Sequence, residues 1–154
     1  MSKLDPVLIA SRWICGDLLP QDIPRIAIEL IEAGHEDPSV YRVAAEDNVN
    51  RRDDVEAILK RMFSALRVEY PISLEEARQI VARQIAREVV AGLKNPWNAA
   101  AQLDRIAPHW DTKDENIWAV YGIADEADWG PGYGRSPSIL EPELTQAFER
   151  LACS

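Results

Sequence analysis

The residues of this chain that could do chemistry are few and scattered. His35 and His109 are the two histidines; His35 precedes Glu36 and Asp37, and His109 precedes Trp110 and Asp111. An imidazole beside carboxylates begins a divalent-metal site, but such sites need several ligands at helical or knuckle spacing. No HExxH, HxH or Cys/His cluster is present, so neither a metal nor a cofactor is expected. Cys15 and Cys153 lie far apart without CxxC spacing, which points to reduced thiols and a cytoplasmic protein. Nucleophilic catalysis also lacks its parts. There is no GxSxG turn, Cys15 falls on an apolar helical stripe, and Cys153 stands next to the C-terminus.

Asp125, Glu126 and Asp128 offer carboxylate pairs for acid–base work. In a chain with 26 Asp and Glu such proximity arises by chance, and a solvated turn is the simpler reading. Gly130-Pro-Gly-Tyr-Gly134 has the look of a phosphate-binding glycine loop, which needs a helix N-terminus and usually a cation. Its approach through Asp125, Glu126 and Asp128 would repel phosphate, so these glycines are expected to shape a turn that carries Trp129 and Tyr133. No catalytic residue is assigned.

Residues 109–134 hold three tryptophans and two tyrosines among seven charged side chains, six of them acidic. Rings beside carboxylates suit a recognition surface. They also suit an amphipathic segment that folds back onto its own core. Read as a partner-binding site, the set is Trp110, Trp118, Asp125, Glu126, Asp128, Trp129 and Tyr133.

The charge balance narrows the partner. A net charge of -9 opposes nucleic-acid binding, which requires clustered cations. Residues 1–50 carry 4 Lys/Arg against 9 Asp/Glu, residues 51–108 carry 10 against 8, and residues 109–154 carry 3 against 9. The acidic ends either balance the basic middle or steer a basic partner. Arg83 and Arg87, an i, i+4 pair, are a possible internal socket for the acidic C-terminal segment. The opening MSKLDPVLIASRW has five apolar residues in a row, too few for a signal peptide or a spanning helix.

The elements that must position these residues read as helices. Gly16…Pro20, Gly34…Pro38 and Gly92…Pro96 share one form: glycine past a helix end, then proline in the next first turn. Asp37 and Asn95 precede their prolines where an N-cap side chain belongs, and Asp5-Pro6 opens the first segment. Helical apolar spacing follows Pro6, Pro24, Pro38 and Pro96 and runs through Asp53–Leu66. Ser73-Leu-Glu-Glu76 is a capping box for a helix to about Ala91, and Thr112-Lys-Asp-Glu115 for a short one over 113–121, which Gly122 weakens. Ser136-Pro137 is read as a continuation of the glycine loop, and Ser138 as the cap of a last helix. Leu66–Tyr70 is the single strand candidate. The expectation is an all-α, single-domain bundle over 1–154 of about seven or eight short helices, with an irregular acidic and aromatic excursion at 109–138.

Trp13-x-x-Gly16…Leu19-Pro20-x-Asp22-Ile-Pro24, Leu30-x-x-Ala-Gly34…Pro38, Ile85-Ala-Arg-Glu-Val-Val-Ala-Gly92…Pro96 and Ala124-Asp-Glu-Ala-Asp-Trp129 together resemble a loose group of small acidic helical bacterial proteins. The resemblance spans most of the chain and implies an all-α fold. It implies no activity and transfers no functional residue. Size and charge are similar in type to immunity proteins that neutralise bacterial toxins. The leading expectation is therefore a non-enzymatic protein that binds a protein partner, a basic toxin domain in its most concrete form, and neither nucleic acid nor membrane. Two others stand beside it: a ligand-binding protein or enzyme with a pocket lined by His109, Trp118 and Asp125, and an adaptor that dimerises through an apolar helix face.

Overall fold

A computed structural model describes residues Leu4–Ser154; Met1–Lys3, the start of the stretch judged too short for a leader, lie outside them. Among the described residues the fold is all-α, with eight α-helices, two 3-10 turns and no strand. The helices are α1 (Pro6–Ile14), α2 (Ile23–Glu32), α3 (Pro38–Ala44), α4 (Glu56–Ala65), α5 (Leu74–Val90), α6 (Pro96–Ile106), α7 (Glu115–Asp128) and α8 (Pro137–Cys153). No helix among the described residues is long and apolar enough to cross a membrane. The chain divides into two compact units, Met1–Arg78 and Gln79–Ser154, and the division falls inside α5.

The turn grammar works as its chemistry requires. Asp5 Oδ1 accepts from the amides of Val7 and Leu8 at 2.9 and 3.3 Å, Asp37 Oδ1 from Ser39 at 2.9 Å, and Asn95 Oδ1 from Trp97 and Asn98 at 2.9 and 3.2 Å. Each pairs donors that a helix start leaves orphaned. Gly16, Gly34 and Gly92 take positive φ just past the ends of α1, α2 and α5, where a β-carbon would be strained.

In the first unit α2 packs on α3 and α3 on α4. Trp13, Leu30, Val40, Val43, Leu59 and Phe63 are fully buried there, each burial of this kind contributing about 1.5–3 kcal/mol before entropy is counted. The polar seam of this core is Glu56, which accepts from Trp13 Nε1 at 3.0 Å and from the Tyr70 hydroxyl. Arg52 lies 3.9 Å over the Trp13 ring. Leu66–Tyr70 forms no strand: Arg67 turns to φ +63 and the Val68 amide closes α4 by donating to Phe63 O at 2.9 Å.

In the second unit α7 packs most extensively on α8, and α6 on both. Leu103, Ile117, Val120, Tyr121, Leu144 and Phe148 are buried. Three expectations change here. Helix α7 does not stop near Gly122 but continues to Asp128, so Asp125, Glu126 and Asp128 are helical. Its N-cap is Asp114, not Thr112, with Asp114 Oδ1 accepting from Asn116 and Ile117 at 2.9 and 3.1 Å. Helix α8 starts at Pro137 after Ser136, so the irregular stretch after α7 is short. One glycine costs a helix about 1 kcal/mol, less than the burial of Ile117, Val120 and Tyr121 returns.

Candidate functional site

Helical spacing sorts the side chains of α7. Ile117, Val120 and Tyr121 are buried, whereas Glu115, Trp118, Gly122, Asp125 and Trp129 are exposed. Separations of three, four, three and four residues place those five on one ridge. Trp118, Asp125 and Trp129 are thus brought onto a single solvent-facing line. Asp128 is also exposed, at the end of the helix beside Trp129.

The four predicted rings are accessible: Trp110 is 77% exposed, Trp118 43%, Trp129 58% and Tyr133 81%. Trp110 and Trp118 belong to a cluster around His109. Its ring meets Trp110 edge-on with centroids 5.0 Å apart, and Trp118 and Tyr121 at 6.4 and 6.5 Å. Asp104 Oδ1 anchors His109 at both its Nδ1 (3.2 Å) and its backbone amide (3.3 Å). Trp118 Nε1 donates to Thr112 O at 2.7 Å, and the Tyr121 hydroxyl to Ala107 O. The His109, Trp118 and Tyr121 rings are held by their polar groups while their apolar bodies meet neighbouring rings.

Trp129 and Tyr133 flank the glycine turn. Gly130 and Gly132 have φ +82 and +87, values that only glycine adopts without strain. Gly134 sits so close to Glu126 and Trp129 that a β-carbon would come within 2.9 Å of Glu126 O and 3.1 Å of the Trp129 ring. Arg135 closes this turn. Its Nε and Nη2 donate to the two Glu126 oxygens at 2.9 and 3.0 Å, its amide adds a bond to Oε2 at 2.8 Å, and its Nη1 donates to Glu143 on α8. These bonds from the Arg135 side chain, then its amide, hold the Glu126 carboxyl well below the usual range, at about 2. The same contacts push the Arg135 guanidinium upward.

Glu126, expected to face a partner, is therefore held within the second unit. Its cation is Arg135, neither Arg83 nor Arg87: Arg83 donates to Gln79 Oε1 at 3.2 Å, and Arg87 is exposed. Asp125 and Asp128 make no ion pair among the described residues. They are the carboxylates left for an outside cation. Sequence reasoning did not weigh Arg135, Glu143 or Asp104, whose pairings depend on the path of the turns.

Other chemistry finds less support. Among the described residues no three His, Cys, Asp or Glu side chains converge as metal ligands. Burial pushes the Cys15 thiol up to about 11, against the smaller opposite effect of Arg78, so it is protonated at neutral pH and a weak nucleophile. Two open clefts, one lined by Asp37, Lys60, Arg61 and Ser64 and one by Gln146, Glu149, Arg150 and Cys153, do not involve His109, Trp118 or Asp125. Comparison with protein-family models, curated proteins and solved structures finds no match for this chain.

Proposed function

We propose that this chain is a non-enzymatic protein-binding protein whose α7 ridge and adjoining glycine turn receive a basic protein partner. In its most concrete form it is an immunity protein that neutralises a basic toxin domain in the cytoplasm. The reading rests on one observation: Trp118, Asp125 and Trp129 share an exposed helical line. Exposed aromatic rings next to uncommitted carboxylates are the side chains that anchor and steer a cationic partner. The clamp of Glu126 on Arg135 supports it further, because a turn held rigid before binding loses less entropy on docking.

The test places a photo-crosslinking side chain at Tyr133 and, as a control, at Ser64 in native cells. The expected result is a basic protein captured from position 133 alone. The complex rebuilt from purified components should weaken as salt rises, and Trp129→Ala with Tyr133→Ala should raise its dissociation constant by about tenfold or more. A rebuilt complex indifferent to both changes and to salt, or capture of a second copy of this chain alone, would overturn the reading.

A further inference from the structure

Gly122 is the eighth of the fourteen residues of α7, a position where glycine costs about 1 kcal/mol relative to alanine. Nothing in the fold asks for it. Its φ is not positive, and a β-carbon built there would meet no atom within 4 Å. With neither a forced backbone conformation nor tight packing to account for it, what this glycine does provide is a stretch of backbone that another group can approach closely. Here the approach is from solvent, on the ridge between Trp118 and Asp125.

We propose that the Gly122 notch of α7 is a socket for an arginine side chain of the protein partner, stacked against Trp118 and paired with Asp125. This rests on the reading of α7 as the partner-binding surface. Trp118 and Asp125 are seven residues apart, about 10 Å along the helix axis, with bare backbone between them. Helical side chains lean toward the N-terminus, so Asp125 leans over the turn that Gly122 leaves empty, while the Trp118 indole, bonded to Thr112 O, borders that opening from its N-terminal side. The Trp118 indole is fixed by its bond to Thr112 O and by edge contacts with His109 and Tyr121. A guanidinium is planar, stacks on indole and pairs with carboxylate; an ammonium offers only a strongly hydrated point charge. Glu126 does not compete, since Arg135 occupies both its oxygens. Glu115, one turn before Trp118, adds a further exposed carboxylate and the ridge carries no cation.

The full chain, labelled for amide NMR, is titrated with N-acetyl-arginine amide and with its citrulline and lysine counterparts. The expected result is saturable shifts of the Gly122 amide and the Trp118 indole N–H with arginine, weaker ones with lysine and none with neutral citrulline. Gly122→Ala should raise the melting temperature yet weaken arginine binding by about tenfold. A gain in fold stability with a loss of binding separates the notch from a structural role. Asp125→Asn should weaken binding with an unchanged melting temperature. Equal shifts with citrulline, no shift at Gly122, or undiminished binding in Gly122→Ala would overturn the socket. A basic partner still captured at Tyr133 would in those cases leave the wider reading standing.

Discussion

Arg135 grips Glu126 by both carboxylate oxygens, at 2.9 and 3.0 Å, and so ties the end of α7 to the chain just before the Ser136 cap of α8. The turn that displays Tyr133 lies inside this loop. A surface pair of this kind adds little to global stability, but it fixes local geometry where the chain has little else to hold it.

The acid behaviour follows from that pairing. Glu126 is lowered from 4.5 to about 2, so the folded state holds its charge where the unfolded chain begins to bind protons. The contribution is complete above about 4.5 and is lost as pH falls toward 2. Carboxyl NMR signals should show Glu126 titrating at about 2, with the turn amides 130–134 loosening only in that window. Glu126→Gln should remove the transition and loosen the turn at neutral pH while α7 and α8 persist; a turn equally ordered in that variant would refute the clamp.

Glu56 governs the first unit. It satisfies two donors, Trp13 Nε1 and the Tyr70 hydroxyl, and Trp13 is fully buried. Glu56→Ala orphans both, and urea unfolding should show a loss on the order of 2–3 kcal/mol. Tyr70→Phe removes one bond and should cost about 1 kcal/mol. The Tyr70 phenol is pushed well above its usual range, first by burial and then by Glu56. A raised folded-state value for an acid favours its neutral form, so stability should decline as pH rises above about 10 and the unfolded phenol ionises. Tyr70→Phe should flatten that alkaline decline.

Local rules made much of this architecture legible. Asp5, Asp37 and Asn95 cap where their prolines say they should, because a cap involves only neighbours in sequence. Gly122 misled as a stop, since one residue's propensity is outweighed by the apolar face that α7 buries on α8. Thr112 lost the cap to Asp114, two residues nearer the helix. The site was legible by type and not by pairing. Candidate rings and carboxylates in 109–134 could be named, but whether the rings face solvent, and which carboxylate stays free of Arg135, nine residues from Glu126, depends on the path of the chain. The bond from Trp13 to Glu56 spans 43 positions and leaves no local signal.

The tryptophans should divide by accessibility. Trp13 is fully buried, whereas Trp110 and Trp129 are largely exposed. Single-tryptophan variants retaining Trp110 or Trp129 should be quenched readily by acrylamide, and one retaining Trp13 should resist until unfolding. Normalised to free N-acetyltryptophanamide, caesium should quench Trp129 more than iodide does, because Asp125 and Asp128 attract cations nearby. Stronger normalised quenching by iodide would refute the acidic setting of that ring.

Arg67 stands where other helices of this chain use glycine. Its φ of +63 and the bonds Arg67 N to Ser64 O and Val68 N to Phe63 O at 3.1 and 2.9 Å form the same helix-ending turn that Gly92 makes at φ +75. A left-handed conformation costs a residue with a β-carbon about 1 kcal/mol, and Arg67 is exposed, with no burial to offset that cost. Arg67→Gly should therefore stabilise the protein by about 0.5–1 kcal/mol, and Gly92→Ala should destabilise it by a similar amount. The opposite signs are the test, since both substitutions change a turn residue but only one brings a β-carbon into the left-handed region. Denaturant midpoints that move the same way for both would show that side-chain contacts of Arg67, not its backbone, set the stability of this turn.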